Sequence, residues 1–595
     1  MSQSSIASVA LHASSVKPTR FSAAIFSTKV MVLRSLRRWS DFKRPLQRFD
    51  QGWLSDYPVL LAESRSPLWT AESQVETTLQ FGKVQNLRKA CSKLHLVAIP
   101  AGQILSFWKQ VGKARKSLGY TKGRELRQGC LIPTVGGGLC QLSNQLYDLA
   151  LRSGCTVVER HAHTAVVAGS AAERGRDATV FWNYVDLRFS PQQDILITAR
   201  LSRDELILSF RGKQTLGEIE EHKAEARPAQ EVKTCTDCGV TSCFRHIPSI
   251  GTTGSGKSAF LIEECWPEFN EFTNHIKADR DELFIPWHST HLHYFPRYKW
   301  DAREHSKIIA ANATTILSSM KARFGLAERV PAIAIQVRRS QELAKYYSER
   351  LSPAVANLYV AQTLLPFLWR SGDLGGRRFS VFLTRWPLNL LHQRLDSLAA
   401  RFPQRSTFRE FRAPDWMVEA EAEALERAET VITPHAFIAN LIPRKVHRLD
   451  WKLPEAIQSR PGSCIVFPGP TVARKGAYEL RQSLEGVKEK LLVLGNNLES
   501  QEFWRGFNLS RNAKDWIRQA LLVVHPAFIE NAPRHLLCAV SAGIPVVATP
   551  ECGIAAHRNL TLVPSGDQES LRRAVSEVLQ RKVAHFARFS TAFTA

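Results

Sequence analysis

The stretch ALLVVHPAFIENAPRHLLCAVSAGIPVVAT, residues 520–549, decides the fold. Its first apolar run ends at His525-Pro526, the segment APRHLLCAVSAG repeats apolar residues at helical spacing, and IPVVAT returns as a second apolar run. Strand, helix and strand in so short a length make a parallel crossover unit. Working outward, GSCIVFPGP and KLLVLG supply two more buried-strand candidates upstream, each followed by loop residues and a helix. The spacing therefore predicts a doubly wound sheet. Farther upstream, from about Ser258, the strand-like run VPAIAIQV leads into a long helical stretch, then ANLYVAQTLLPFLW, RRFSVFLTRW, the Ala/Glu-rich helix WMVEAEAEALERAE and TVITPH. The same alternation implies a second α/β lobe, and two such lobes would face a cleft.

The N-terminal third has a different texture. In TVGGGLCQLSNQLYDLAL, Gly136, Gly137 and Gly138 free the backbone for a sharp turn or a close ligand approach just before Cys140. Leu139, Leu142, Leu146 and Leu149 then recur at helical steps, and Gly154 offers a stop. Cys140 falls in the first turn, where free amides and the helix dipole favour a thiolate and could hold an oxyanion. Downstream, CTVVERHAHTAVVAG alternates as a strand and carries Arg160, His161 and His163, and ATVFWNYVDLRF supplies Asn183 and Asp186. A cysteine at a helix start, then His163, then Asp186 is the order of a thiol acyl-transfer site, with Cys140 as nucleophile. The alternative is a small cysteine packed under a turn.

At this point a resemblance becomes specific. KVQNLRKA, IPAGQILSFWKQVG, GYTKGRELRQGC, GGGLCQLSNQLYDLAL, ERHAHT and DATVFWNYVDLRF, in that order between Thr78 and Gly212, resemble the VanW family, named for an accessory protein of vancomycin-resistance clusters. The resemblance implies Gly136 to Cys140, Gln141, Ser143, Arg160, His161, His163, Asp177 and Asp186 as signature positions, in an α+β module. It also implies a bacterial cell-envelope setting linked to glycopeptide resistance, and it brings no reaction with it.

Composition bounds the rest. At 595 residues the chain exceeds one core, and the formal charge of +24 favours anionic partners such as nucleotide diphosphates or an anionic membrane surface. Basic residues outside the start are scattered, without a nucleic-acid-binding signature, so no specific nucleic acid is expected. The sequence contains no apolar run of spanning length and no compact secretory segment, so a cytoplasmic protein with its eleven cysteines reduced is expected. The expected organisation is a basic, partly disordered leader (1–62), the VanW-like module (63–213), a charged linker (214–250), two lobes (251–445 and 446–582) and a tail (583–595).

Two motifs sit near the linker. CTDCGVTSCFRH places Cys235, Cys238, Cys243 and His246 close enough to suggest a zinc site, with loose hinge thiols as the alternative. GTTGSGKS fits the phosphate-loop pattern through Gly251, Gly256, Lys257 and Ser258, the basis of a third reading as an ATP- or GTP-binding protein. Its context is poor, since no buried strand precedes it and AFLIEE after it reads as a strand; a Gly/Ser turn is expected.

The last lobe resembles the donor-binding half of GT-B glycosyltransferases. FPGPTVARKGAYEL presents Arg474, Lys475 and Gly476 after a strand, suited to the diphosphate of a nucleotide sugar. In HPAFIENAPRHLLCAVSAG the resemblance implies that Glu530 contacts the donor sugar as the catalytic carboxylate. Cys538 stands eight positions on, where the family has a second glutamate for the ribose. A thiol cannot replace a bidentate carboxylate. The implied function is an enzyme that modifies a cell-envelope precursor with a nucleotide-sugar donor; the alternative is a non-catalytic binder of an envelope glycan or peptide.

Overall fold

The computed structural model describes residues 20–43, 45–70, 74–127, 130–163, 166, 168–217, 227–229, 233–234, 256–288, 296–298, 300, 302, 305, 307–327, 331–442, 445–455, 462–510 and 514–592. The chain divides into two compact units, residues 1–256 with 352–356 and 375–377, and the remainder from Lys257.

The first unit is α+β. Strands Val59–Pro67, Glu205–Gly212, Ile195–Leu201 and Val97–Ile99 form an antiparallel sheet in that spatial order. Helix Gln74–Leu94 and helix Leu139–Arg152 bury Val84, Leu87 and Leu94, and Leu142, Leu146 and Leu149, in one core with Ile195, Ile197, Leu208 and Phe210. The leucine spacing thus produced the helix it predicts, ending before Gly154 at φ +64°. Hairpin Lys122–Arg127/Cys130–Val135 leads into the glycine triplet, and a small sheet orders Leu105–Ser106, Arg188–Ser190 and Thr156–Glu159.

Two expectations change here. Residues 20–43, part of the leader read as basic and partly disordered, form helix Arg20–Lys43, docked by Arg37 to Glu159 (2.7 and 2.5 Å), Arg34 to the Trp182 carbonyl (2.9 Å) and Asp41 to Arg188 (2.8 Å). Half-buried polar partners far along the chain, invisible in the local composition, stabilise it. The strand expected through His163 stops at Glu159, and His161 and His163 lie in a loop.

The second unit is two doubly wound lobes. In the first, Lys307–Ala310, Glu282–Ile285, Lys257–Leu261, Val355–Ala361, Arg378–Phe382, Thr430–Thr433 and Val446–Arg448 stand side by side in that order. In the second the order is Leu509–Ser510, Lys490–Val493, Cys464–Phe467, Ala520–His525, Val546–Ala548 and Leu560–Leu562, all parallel. Both run 3-2-1-4-5-6 in chain order, the first with a seventh strand, so each has a switch point between its first and fourth strands. All four apolar runs of the last lobe are strands, as expected. VPAIAIQV is not: helix Ala332–Arg350 takes it over, entered through Pro331 at φ −55°, whose fixed ring suits a helix entry. Lys257 and Ser258 open strand Lys257–Leu261 rather than a helix, so the phosphate-loop geometry, which needs a helix N-terminus behind the loop, is not formed; Gly256 is exposed before it and Gly251 lies outside the described residues. Among the described residues no helix is long and apolar enough to cross a membrane.

Candidate functional site

Helix Leu139–Arg152 begins at Gly138, whose φ of +99° only glycine holds without strain. Asn86, buried on helix Gln74–Leu94, clamps the triplet from beneath, donating to the carbonyls of Gly137 (2.9 Å) and Thr121 (3.0 Å) and accepting from the Thr121 amide (2.8 Å). Gln141 donates to Ser66 Oγ (2.8 Å) and the Pro67 carbonyl (2.9 Å), tying the first turn to a neighbouring strand. The leading amides of Leu139 and Cys140 have no preceding turn to bond to.

The same helix sets the segment that faces it. Asn144 Oδ1 accepts from the Ala178 amide (2.8 Å), and Ser143 Oγ donates to the Ala178 carbonyl (2.5 Å). Gripping Ala178 on both sides fixes Asp177 before it and Thr179 after it. Thr179 Oγ1 and the Val180 carbonyl lie 3.7 and 3.9 Å from Cys140 Sγ. The fully buried Asp177 takes His163 Nδ1 at 2.7 Å and the His163 amide at 2.7 Å on one oxygen, and Arg160 (2.8 Å) and Arg227 (2.7 Å) on the other. With Nδ1 committed to Asp177, Nε2 is the ring nitrogen left to act on the Cys140 thiol, whose ionisation His163 favours.

Electrostatics follow the geometry. Burial opposes ionisation of Cys140, but the hydrogen bond and charge of His163 outweigh it and hold the thiol below its usual range. Burial also works against charging His163, yet Asp177 and Cys140 push it up to about 9. Asp177, despite its burial, is kept well below the carboxylate range by His163 and Arg227. The half-buried thiol opens on a cavity of about 770 Å³, whose lining includes the glycine triplet, Trp108 and Trp182. Cys140, His163 and Asp177 thus stand in sequence, an arrangement that can supply a nucleophile, a base and an orienting anion.

The aspartate is not the one expected. Asp186 turns away, accepting from Ser106 Oγ (2.6 Å), Arg188 Nε (2.9 Å) and the Trp108 and Leu187 amides (3.1 and 3.0 Å). It secures the short helix Phe107–Val111, and burial raises it above the ordinary carboxylate value. His161 is exposed, with Nε2 on Glu159 at 3.1 Å, and contributes only its carbonyl, which accepts from the Thr179 amide (2.8 Å). Asn86 and Lys83 are not marked out by the sequence, because Gln80, Gln85 and Arg88 of the same helix are polar and buried with them.

In the last lobe, the turn Ala473–Lys475 with Gly476 at φ +78° and the loop after His525 sit at the carboxyl ends of strands one and four, the switch point of the sheet. Lys475 Nζ meets Glu530 Oε2 at 2.7 Å, and His525 Nε2 meets the same oxygen at 2.6 Å. Oε1 accepts from the Asn531 and Ala532 amides (2.8 and 3.1 Å). Four donors use up the carboxylate's acceptor sites, so in this arrangement Glu530 braces the loop rather than reaching for a sugar. Burial opposes its charge and Lys475 more than restores it, leaving Glu530 well below the carboxylate range. Arg474 stacks over Phe411 at 4.2 Å, with Nε buried and unbonded. The helix behind, Arg534–Ser541, presents Arg534, held by Glu268 at 2.7 Å on both oxygens and stacked on Trp266 and Trp451. Cys538 is half-buried on that helix, its thiol raised by burial.

Cys235, Cys238, Cys243 and His246 lie outside the described residues; among those described, no group of three or more His, Cys, Asp or Glu side chains could hold a metal ion.

The fold and sites define an α+β thiol module joined to a two-lobed α/β unit, each lobe doubly wound on a parallel sheet. Residues 82–211 match the family described as VanW like protein, and residues 464–581 match Glycosyl transferases group 1, so the chain carries a VanW-like stretch and a glycosyltransferase-like stretch. It is 31% identical over 140 residues to vancomycin B-type resistance protein VanW of Enterococcus faecalis, covering 23% of this chain and 51% of that protein. It is 37% identical over 110 residues to the uncharacterized protein YoaR of Bacillus subtilis, covering 18% and 36%. The chain thus spans about half or less of the curated relatives it matches. Among solved structures, the lipopolysaccharide outer core galactosyltransferase WaaB overlaps 55% of this chain and 91% of its own, at 14% identity and a TM-score of 0.33. Anabaena HepE, solved with UDP, overlaps 55% and 90%, at 12% identity and 0.31.

Proposed function

We propose that this chain is a two-site enzyme acting on a cell-envelope precursor, with a cysteine-dependent acyl-transfer site in the VanW-like module and a nucleotide-sugar-dependent transferase module later in the chain. The observation that carries the reading is the chain Cys140–His163–Asp177 opening into one cavity. The Cys140 thiolate adds to an acyl carbonyl, forming a C–S bond, while the leading amides of helix Leu139–Arg152 face the oxygen that takes up charge. Collapse breaks the bond to the leaving amine or alkoxide, which takes its proton from His163 Nε2. An incoming nucleophile then gives its proton back to His163 and releases the acyl group from sulfur. Asp177 holds the imidazole in the required tautomer throughout.

For the second site, Arg474 and Lys475 at the switch point support a diphosphate donor. One observation favours the alternative of a donor lobe that binds without transferring: Glu530 is saturated and Cys538 stands where a ribose carboxylate is expected. The exposed ridge Phe21, Ile25, Val32, Leu36 and Trp39 on the basic helix Arg20–Lys43 supports contact with an anionic membrane surface.

The test is alkylation of purified protein with iodoacetamide, read cysteine by cysteine, alongside thermal shift against nucleotide diphosphates and nucleotide sugars. Cys140 should react fastest near neutral pH and slow in His163→Ala. Labelling of Cys140 no faster than a free thiol refutes the acyl-transfer site. Absence of stabilisation by any nucleotide ligand refutes the transferase site.

A further inference from the structure

The cavity beside Cys140 contains a cation that the thiol chemistry leaves unused. Lys83, on helix Gln74–Leu94, is more than nine-tenths buried and lines the cavity. Its side chain crosses directly over Gly138, where an added Cβ would lie 2.2 Å from Lys83 Cγ. Glycine at the start of the Cys140 helix is therefore what lets this lysine reach the cavity. No acceptor among the described residues meets its ammonium, and the charge that acts on it most is another cation, Arg124.

The rest of the lining does not neutralise it. Of the two cavity acids, Glu125 accepts from Thr134 Oγ1 at 2.5 Å, and Asp148 faces Arg152 and Arg176 at 3.3 and 3.5 Å. Lys113 and Arg174 add further positive charge to the wall, whereas Arg65 is paired with Glu63 at 2.7 Å and Glu205 at 3.4 Å. A buried ammonium without a counter-ion either gives up its proton or binds an anion. Burial, with Arg124 second, lowers Lys83 to about 8, which leaves it charged at neutral pH.

We propose that the ammonium of Lys83, beside Arg124, is a binding site for an anionic oxygen group, carboxylate or phosphate, carried by the acyl donor that Cys140 attacks. The anion's place in the donor rests on the acyl-transfer reading; the anion site itself does not. The site selects donors with a fixed negative charge on the part of the molecule lying over Gly138.

Two alkylating agents of nearly equal size separate charge from reactivity. In wild-type protein the ratio of iodoacetate to iodoacetamide rates at Cys140 should exceed the same ratio for free cysteine by about tenfold, through attraction in a partly desolvated cavity. In Lys83→Met that excess should fall by most of this factor, with the iodoacetamide rate close to wild type as the sign of an intact fold. Inorganic phosphate and acetate should each slow iodoacetate in wild-type protein, and the stronger protector identifies a phosphate or a carboxylate as the preferred group. A ratio unchanged in Lys83→Met, or no protection by either anion in wild-type protein, overturns the proposal. If Cys140 reacts with iodoacetamide no faster than a free thiol, the acyl-transfer reading fails alone. The anion site is then tested by phosphate stabilisation of Cys140→Ser, expected to vanish in Cys140→Ser/Lys83→Met and refuted if it persists there.

Discussion

Replacing Asp177 by asparagine removes the anion behind His163 while leaving the loop its backbone anchors. Arg160 still donates to the residue 177 carbonyl (2.8 Å), and Arg227 still reaches the His163 carbonyl (2.8 Å). The raising of His163 from 6.5 to about 9 corresponds to about 3 kcal/mol in favour of the imidazolium. Asp177 and the Cys140 thiolate supply that preference together, against burial. If Asp177 provides about half, the variant weakens the imidazolium by about 1.5 kcal/mol, and the Cys140 midpoint rises by about one pH unit. Below the midpoint the thiolate fraction then falls about tenfold. The assay is the pH dependence of iodoacetamide labelling at Cys140 by mass spectrometry, with Asp186→Asn as a parallel variant. Asp186→Asn should lower thermal stability, through the lost bonds to Ser106 and the Trp108 amide, and leave the thiol midpoint in place. A folded Asp177→Asn protein with an unshifted midpoint, or a shift produced instead by Asp186→Asn, would refute the assignment of Asp177 as the orienting anion.

Because His163 titrates at about 9 when folded and near 6.5 when unfolded, the stability it adds is complete below pH 6.5 and lost as pH rises through about 9. His163→Gln should therefore flatten the melting-temperature profile across that window, and an unchanged slope would count against the coupling. Lys475→Met leaves the buried Glu530 without its ammonium partner and should lower the stability of the last lobe by about 3 kcal/mol, with a loss under about 1 kcal/mol in urea unfolding contradicting the bracing role. Arg37→Ala removes the two-pronged bond to Glu159; hydrogen exchange should then speed up throughout residues 20–43, and unchanged protection there would show that Arg34 and Asp41 suffice.

The lobes were legible because parallel sheets buried on both faces write themselves as apolar runs; CIVF, KLLV, ALLVVH and VVA all became strands. VPAIAIQV misled because Ile333 and Ile335 suit a strand as well as a helix, and only its long helical continuation decides. The Cys140 helix and the placing of His163 beside it could be read from spacing and chemistry. The choice between Asp177 and Asp186 could not, since it depends on the grip of Ser143 and Asn144 on Ala178, a contact between residues more than thirty positions apart. Lys83 was hidden for the same reason: a lysine in a helix reads as solvated until Gly138 is seen beneath it.

The docking of helix Arg20–Lys43 also has a timetable. Its anchor Arg37 and the acceptor Glu159 are 122 residues apart in the chain. At a synthesis rate of about 5–20 residues per second, Glu159 is added roughly 6–24 s after Arg37. During that interval Phe21, Ile25, Leu36, Trp39 and Phe42 have no docked helix to belong to, and they stay outward-facing even afterwards. The nascent chain therefore carries a basic, apolar-ridged segment that can engage a chaperone or a lipid surface before the thiol site later in the chain exists.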